Sequence, residues 1–247
     1  MKILALGDPH GILPKNLDKI IKRNKIKLII CVGDWAFTPE KPWLEESWKG
    51  IKEKLVDQSY KNCINKICSY NLPVLTLRGN MYQYGEGRKI ADKIIWKNKN
   101  LINKFTSKLE IKGQHFIFFD VVFENSTLMN QKERKNKYRK YDLPKSKKRA
   151  QKLNKLLKEN PYSILITHNP PYGIVDKAYN GKYVGSKIIS NAIKKHKPKL
   201  VLCGHIHEAK GKGKIGKTEI YNLGWHGDYA VFDVTEKVKL IESNFLK

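Results

Sequence analysis

The chain has 247 residues, of which 40% are hydrophobic and 29% are charged, and its formal net charge is +26. Its length and hydrophobic content are ordinary for a globular protein with a sizeable core, as one large domain or two small ones. No stretch approaches the roughly 20 apolar residues of a transmembrane helix, and the apolar run Ile3–Leu6 is too short for a signal peptide, so we predict a cytoplasmic protein without membrane insertion.

Short apolar runs alternate with helical spacing in the first part of the chain. Strands are predicted at Ile3–Leu6, Lys27–Val32 and Pro73–Leu77. Apolar residues recur at helical spacing between them, from Leu17 to Ile26 and from Leu44 to Ile67. Short buried strands between helices are typical of βαβ units, so this part of the sequence predicts a parallel sheet.

The rest of the chain adds a hairpin and a second alternation of helices and strands. Two strand runs, Lys108–Ile111 and His115–Val122, are joined by a short turn that contains a glycine. The runs Lys217–Asn222, Tyr229–Asp233 and Lys239–Ile241 are predicted to form a closing antiparallel set. The elements predicted between the hairpin and this set are a helix around Leu153–Leu157, a strand at Ser163–Thr167, a helix at Ser186–His196 that stops before Pro198, and a strand at Lys199–Cys203.

The four cysteines form no C-x-x-C pair, so neither a zinc ribbon nor a disulfide framework is indicated. Cys31 and Cys203 lie in strand-like runs, and Cys63 and Cys68 lie in a helical pattern. We therefore expect four reduced, buried thiols.

Residues 132–149 are the most basic segment, with ten Lys or Arg among eighteen residues and with Tyr138 and Tyr141 between them. Two interpretations stay open. The segment is either an arm that grips phosphates and stacks bases or a solvated surface insertion. The high net charge allows nucleic acid as a partner but also fits a general bias toward lysine. The candidate phosphate or nucleic-acid contacts are Arg78, Lys135, Arg139, Lys140, Lys148 and Arg149.

Seven nitrogen or oxygen donors follow the ends of predicted strands. Because strand ends in a parallel sheet share one edge, these side chains are expected to converge, and four of the chain's seven histidines are among them. Mixed imidazole, carboxylate and amide donors suit divalent Mn, Fe, Ni or Zn. The sequence thus predicts a site for two metal ions, with the donors Asp8, His10, Asp34, Asn80, His168, His205 and His207.

These motifs resemble those of the calcineurin-like metallophosphoesterase superfamily, which are D-x-H, G-D, G-N-H-[DE], a lone His and G-H-x-H. Four of the five are intact, in the family's order, between Asp8 and His207. The stretches 167–173, 184–186 and 203–209, with Asn222-Leu223-Gly224, are similar to the small Icc-related phosphoesterases, many of them archaeal. The resemblance implies an α/β four-layer α-β-β-α sandwich of two mixed sheets flanked by helices. The sequence shows neither an internal repeat nor a Gly/Ser linker, so we predict one metallophosphoesterase domain over residues 1–247 with a basic insertion around 105–149.

The resemblance also implies how the donors divide. One ion would take Asp8, His10, Asp34 and His207, and the other would take Asp34, Asn80, His168 and His205, with Asp34 bridging. In the family, a hydroxide shared by the two ions attacks the phosphorus. Asp34, Asn80 and His168 are then the expected catalytic residues, and Mn is the first choice of metal.

One motif departs from the family, because Met81 stands where the family has a histidine that assists the leaving group. A thioether cannot donate a proton. The candidate substitutes are Tyr82, Tyr84, His226 and Arg78. The Tyr172–Tyr183 loop, with Lys177 and Lys182, either borders the site and contacts phosphate or is a solvated turn.

The resemblance implies a phosphodiesterase that acts on a phosphate ester, with a nucleotide or nucleic acid as the expected substrate. Three alternatives stay open: a nuclease acting on DNA or RNA, a catalytically weak metal-binding scaffold or nucleic-acid-binding protein, and a phosphomonoesterase. The sequence carries no signal for an oligomeric state.

Overall fold

The computed structural model describes residues 1–39, 45–80, 93–94, 97–103, 106–119 and 143–246. The chain divides into two compact units. Unit 1 comprises Met1–Lys104 and Leu223–Lys247, and unit 2 comprises Phe105–Asn222. Each unit holds one six-stranded sheet. The expectation of a single domain over residues 1–247 stays a prediction.

Twelve strands and four α-helices lie in the described residues. The strands are β1 (Lys2–Leu6), β2 (Leu28–Cys31), β3 (Val74–Thr76), β4 (Leu101–Asn103), β5 (Ser107–Ile111), β6 (Gln114–Phe119), β7 (Ile164–Thr167), β8 (Leu200–Cys203), β9 (Gly211–Ile215), β10 (Thr218–Asn222), β11 (Tyr229–Val234) and β12 (Val238–Ser243). The helices are α1 (Leu17–Asn24), α2 (Glu53–Cys68), α3 (Leu143–Glu159) and α4 (Lys187–His196). None of these helices combines the length and the apolarity that crossing a membrane requires.

Both sheets are mixed. In unit 1 the order is β12-β11-β1-β2-β3-β4; β1 to β4 run parallel, and β11 is antiparallel to both β1 and β12. In unit 2 the order is β5-β6-β7-β8-β10-β9; β6, β7, β8 and β10 run parallel, and the two edge strands are antiparallel to their neighbours. The predicted α/β fold with two mixed sheets and helices is confirmed.

Amphipathic helices explain the core of unit 1. Tyr60, Cys63, Ile64 and Ile67 recur at helical spacing on one face of α2, and all four are buried against residues of the sheet. Burying an isoleucine side chain contributes roughly 1.5–3 kcal/mol, so this stripe fixes α2 on the sheet.

All four cysteines are buried and free, as predicted. Burial also raises the pKa of Cys63 to about 12.

In unit 2, helices α3 and α4 place their apolar faces in one core. Leu153 and Leu157 of α3 pack with Ile189 and Ile193 of α4 and with residues of β6, β7, β8 and β10. Helix α4 begins where the side chain of Ser186 accepts a hydrogen bond from the backbone N–H of Ile189 at 3.2 Å. It ends at His196, as predicted.

The prediction of a closing antiparallel set was wrong for one of its three strands. β10 belongs to the sheet of unit 2, where it runs parallel to β8 and antiparallel to β9, whereas β11 and β12 pair with each other in unit 1. β10 is an interior strand that is covered on both faces, and Thr218, Ile220, Tyr221 and Asn222 are all buried. An interior strand of this kind needs partners on both sides.

Three further elements differ from the sequence predictions. Strands β4 and β9 were missed, because β4 has three residues and the sequence of β9, GKGKI, has little apolar character. The helical pattern predicted from residue 44 begins as a 3-10 turn at Glu45–Trp48, and α2 starts at Glu53. Leu55 is largely exposed and so lies off the buried stripe. Residues 44 and 120–122, which were included in predicted elements, lie outside the described residues.

Candidate functional site

In unit 1 the donors follow the carboxyl ends of β1 and β2, which are neighbouring parallel strands. The backbone N–H of His10 donates to the carbonyl oxygen of Asp34 at 2.9 Å, and that of Asp34 donates to the carbonyl oxygen of Arg78 at 3.0 Å. These bonds tie the three loops after β1, β2 and β3 together. A carboxylate oxygen of Asp8 and an imidazole nitrogen of His10 lie within 4.8 Å of each other. Asp8, His10 and Asp34 are thus brought to one edge of the sheet, where α/β proteins bind ligands.

The backbone at these donors is strained. His10 and Asp34 both have φ of 44°, in the left-handed region that non-glycine residues rarely occupy. Such conformations cluster at functional sites, where the surrounding structure maintains them. Gly79 has φ of +82°, and a Cβ there would overlap the carboxylate of Asp34 and lie 2.5 Å from its amide nitrogen. Glycine at position 79 therefore leaves the space that the Asp34 side chain occupies.

Thr38 orients His10, and sequence reasoning missed it. The hydroxyl oxygen of Thr38 lies 2.8 Å from Nδ1 of His10, and the carbonyl oxygen of Ala36 lies 3.2 Å from the same nitrogen. Because a carbonyl only accepts, Nδ1 carries the proton in this arrangement, and Nε2 then has the lone pair that can bind a metal ion. Outer contacts of this kind are typical of histidine ligands.

Thr38→Val is expected to weaken metal binding about tenfold, because one of two groups that orient the imidazole of His10 is lost. The Thr38→Ser variant retains the hydroxyl and is the matched control. Both are measured by titrating Mn²⁺ into the metal-free protein by calorimetry. Equal affinities for the two variants would remove Thr38 from this role.

The segment after Leu223 approaches the same donors. The backbone N–H of Asp8 donates to the carbonyl oxygen of Gly224 at 2.9 Å, and that of His226 donates to the carbonyl oxygen of Asp8 at 3.1 Å. The ring of His226 stacks on Trp225 with centroids 3.8 Å apart, and it meets the ring of His10 edge-on at 6.0 Å. His226, one of the candidate substitutes for the motif histidine, therefore lies beside two donors. The role of Trp225 as its support was not predicted.

In unit 2 the donors again follow neighbouring parallel strands. His168 comes directly after β7, and His205 lies two residues after β8. The backbone N–H of Gly204 donates to the carbonyl oxygen of His168 at 2.9 Å. The two imidazole rings have centroids 4.9 Å apart, and each offers a nitrogen within 4.8 Å of the other. His205 shares the left-handed backbone of the donors in unit 1, with φ of 69°.

Asn222, at the end of β10, holds the loop that carries His205 and His207. Its side-chain amide is fully buried and donates to the carbonyl oxygens of Ile206 at 2.8 Å and Val175 at 3.0 Å. A buried amide that binds two backbone carbonyls fixes both segments. The family resemblance had marked Asn222 as a motif residue, and this contact gives it a structural role.

The donor chemistry fits divalent cations. Asp8 and Asp34 are 0% and 2% exposed, and burying carboxylates is costly unless positive charge accompanies them. Imidazole nitrogens with carboxylate oxygens are the mixed set that borderline metals accept. Of the remaining predicted donors, Asn80 is half-buried beyond β3, and His207 is half-buried at the start of the 3-10 turn His207–Ala209.

Three of the six predicted phosphate contacts lie in the described residues. Arg78 is half-buried and accepts a backbone hydrogen bond from Asp34, whereas Lys148 and Arg149 are exposed on α3 in unit 2. Arg78 thus belongs to unit 1, and Lys148 and Arg149 belong to unit 2. The residues Met81, Tyr82, Tyr84, Lys135, Arg139 and Lys140 lie outside the described residues.

Known proteins share sequence or fold with this chain. The family model for calcineurin-like phosphoesterases matches residues 1–209. A dimetal phosphatase from Danio rerio has a TM-score of 0.64 and 8% identity, covering 98% of this chain and 96% of that chain. TT1561 of Thermus thermophilus has a TM-score of 0.60 and 19% identity, covering 97% of each chain. UPF0046 protein T07D4.2 of Caenorhabditis elegans is 37% identical over 60 residues, which are 24% of this chain and 15% of that protein.

Proposed function

Because the chain belongs to the calcineurin-like phosphoesterase family, we propose that it is a metal-dependent phosphodiesterase. Family membership supports a hydrolase of phosphate esters and a dinuclear metal site. The observation that carries the proposal is the backbone link between the buried donors of unit 1, in which His10 binds Asp34 and Asp34 binds Arg78. Such a constrained arrangement of carboxylate and imidazole is what a metallohydrolase requires.

The proposed ligand set is the one that the family motifs imply. Asp8, His10, Asp34 and His207 would hold one ion, and Asp34, Asn80, His168 and His205 would hold the other. Two divalent ions, when bound, make a nucleophile available near neutral pH and neutralise charge on the phosphoryl oxygens. Manganese is the proposed ion, with iron, nickel and zinc as alternatives.

The residues of the chain would orient the ligands and hold their protonation states. Thr38 and Ala36 keep the proton of His10 on Nδ1, so that Nε2 is the binding atom. Asn222 keeps the His205–His207 loop in place through Ile206. Arg78 carries the positive charge nearest in sequence to Asn80 and is proposed to bind a phosphoryl oxygen. A guanidinium suits this role because it presents several donors in one plane.

Hydrolysis of bis(p-nitrophenyl) phosphate with added Mn²⁺ tests the activity. Turnover should disappear with EDTA and should exceed that of p-nitrophenyl phosphate, the matched monoester. Fe²⁺, Ni²⁺ and Zn²⁺ are compared in the same assay. No turnover with any of these ions, despite metal bound to the protein, would contradict the proposal and favour a binding role. Cleavage of labelled DNA or RNA in preference to small diesters would favour a nuclease.

The methionine at position 81 leads to a separate prediction, which concerns the leaving group of the substrate. Met81→His should raise turnover by about a hundredfold for a diester with an alkoxide leaving group, because a general acid contributes roughly 10²–10⁴-fold. The gain should be much smaller for bis(p-nitrophenyl) phosphate, because a nitrophenolate leaves without protonation. A 2′,3′-cyclic nucleotide provides the alkoxide case. Equal gains for both substrates would show that position 81 does not act on the leaving group.

A further inference from the structure

Unit 2 exposes three tyrosines in a short loop after β7. Tyr172, Tyr179 and Tyr183 are 40%, 78% and 51% exposed. Large aromatic side chains are normally covered, and an exposed group of them marks a recognition surface. In the described part of the chain, the other tyrosine in this class is Tyr162, which is 76% exposed and lies outside this loop. We call residues 172–187 the tyrosine–lysine loop.

The tyrosine–lysine loop is built as a small rigid hairpin. Lys177 and Tyr183 form an antiparallel bridge, and the backbone N–H of Ala178 donates to the carbonyl oxygen of Lys182 at 2.9 Å. The turn closes where the N–H of Gly181 donates to the carbonyl oxygen of Ala178 at 2.8 Å. These bonds hold Tyr179 at the tip of the hairpin. A preorganised surface loses less conformational entropy when a ligand binds.

A buried carboxylate anchors the base of the loop. Oδ2 of Asp176 accepts hydrogen bonds from the backbone N–H of Gly173 at 2.9 Å and of Gly185 at 2.8 Å, and Asp176 is fully buried. A Cβ at Gly185 would lie 2.7 Å from the same oxygen, so position 185 has no room for a side chain. Asp176 thus directs its charge into the loop and away from the exposed face.

The exposed face of the loop is cationic. Lys177, Lys182 and Lys187 are exposed, and the ammonium of Lys187 lies 5.1 Å from the centre of the Tyr172 ring. The Tyr172 and Tyr183 rings are 6.2 Å apart and meet edge to face. The carboxylate of Glu208 also lies at this surface, where it accepts the backbone N–H of Tyr179 at 2.9 Å. Three lysines against one glutamate leave a net positive charge around the aromatic rings.

Aromatic faces with flexible cations match a ligand that alternates flat rings with anions. Unpaired nucleobases stack on tyrosine whatever their identity, and phosphates between them pair with lysine. A duplex offers the same phosphates but hides the faces of its bases. We propose that the tyrosine–lysine loop binds single-stranded nucleic acid by stacking bases on Tyr179 and Tyr183. This binding goes beyond the proposed hydrolysis and does not depend on metal.

The test measures binding without catalysis. A short fluorescent oligothymidylate is titrated with the full chain in EDTA at low ionic strength, and anisotropy reports binding. A duplex of the same length is the comparison. The single strand should bind at least about fivefold more tightly than the duplex, because a stacked base contributes that much or more. Loss of hydrolysis in a separate assay leaves this result unaffected.

Matched variants test whether the tyrosines of this loop bind the single strand. Tyr179→Ala and Tyr183→Ala should each weaken binding at least about fivefold, whereas Tyr179→Phe should bind like the native chain because it retains the ring. Tyr162→Ala removes a tyrosine elsewhere in unit 2 whose exposure, 76%, is close to the 78% of Tyr179, and it should have no effect. The proposal is overturned if the native chain does not bind the strand, if the duplex binds equally, or if Tyr162→Ala is as damaging as Tyr179→Ala. Binding of phosphatidylserine vesicles in place of the strand, through these tyrosines, would also overturn it.

Discussion

Asp34→Asn is expected to reduce turnover of bis(p-nitrophenyl) phosphate by about a thousandfold while the chain remains folded, because several kcal/mol of transition-state stabilisation come from the metal ions. Asparagine has nearly the shape of aspartate, and the backbone bonds from His10 and to Arg78 do not involve the side chain. The change therefore removes a negative charge and little else. Metal content measured by mass spectrometry should fall together with kcat/KM.

Asp57→Asn is the control for Asp34→Asn. Asp57 is a half-buried carboxylate on α2 in the same unit, and burial raises its pKa. Removing its charge should leave both metal content and turnover unchanged. If Asp34→Asn kept full activity and full metal content, the bridging role proposed for Asp34 would be wrong.

Gly79→Ala is expected to damage the site through its shape alone. A Cβ at position 79 overlaps the Asp34 carboxylate, so this side chain must move, and a displacement of about 1 Å at a reacting centre costs roughly a hundredfold in rate. The positive φ adds roughly 1–2 kcal/mol of backbone strain. Both kcat/KM and the free energy of unfolding in urea should therefore fall.

The Gly50→Ala variant separates the effect of backbone strain from the effect of displacing the Asp34 side chain. Gly50 has φ of +78°, close to that of Gly79, but a Cβ there would have no neighbour within 4 Å. The Gly50→Ala variant should lose stability because of the backbone strain at its positive φ, and it should keep its activity. Equal activity in the two alanine variants would mean that the Asp34 side chain does not depend on the space at Gly79.

The sequence predicted those features that depend on a single strand or helix and the loop that follows it. Apolar runs identified β1, β2, β3, β7 and β8, and polar residues close after them supplied the candidate donors, since a strand end and its loop are adjacent in the chain. The run that contains β10 was correctly predicted to be a strand but was assigned to the wrong sheet. Pairing depends on partners far away in sequence, and β10 is distinguished by burial on both faces.

The supporting contacts could not be read in the same way. Thr38 binds His10 across 28 residues, and Gly224 binds Asp8 across most of the chain. No local periodicity encodes such contacts. The left-handed backbone at His10, Asp34 and His205 is likewise maintained by tertiary structure, because non-glycine residues adopt it uncommonly, although His and Asp do so more often than most. The candidate donors could therefore be named from the sequence, whereas the contacts that orient them could not.

The two-segment composition of unit 1 has a consequence for biosynthesis. A ribosome delivers residues 105–222 as one continuous stretch, so every strand of the unit 2 sheet is synthesised before β11 and β12 of unit 1. β1 must wait for β11, since Lys2 pairs with Asp233. The backbone bonds that Gly224 and His226 make with Asp8 form only after that late segment emerges. Unit 2 is therefore made without interruption, whereas the Asp8 loop gains its last backbone partners only when the second segment of unit 1 has been synthesised.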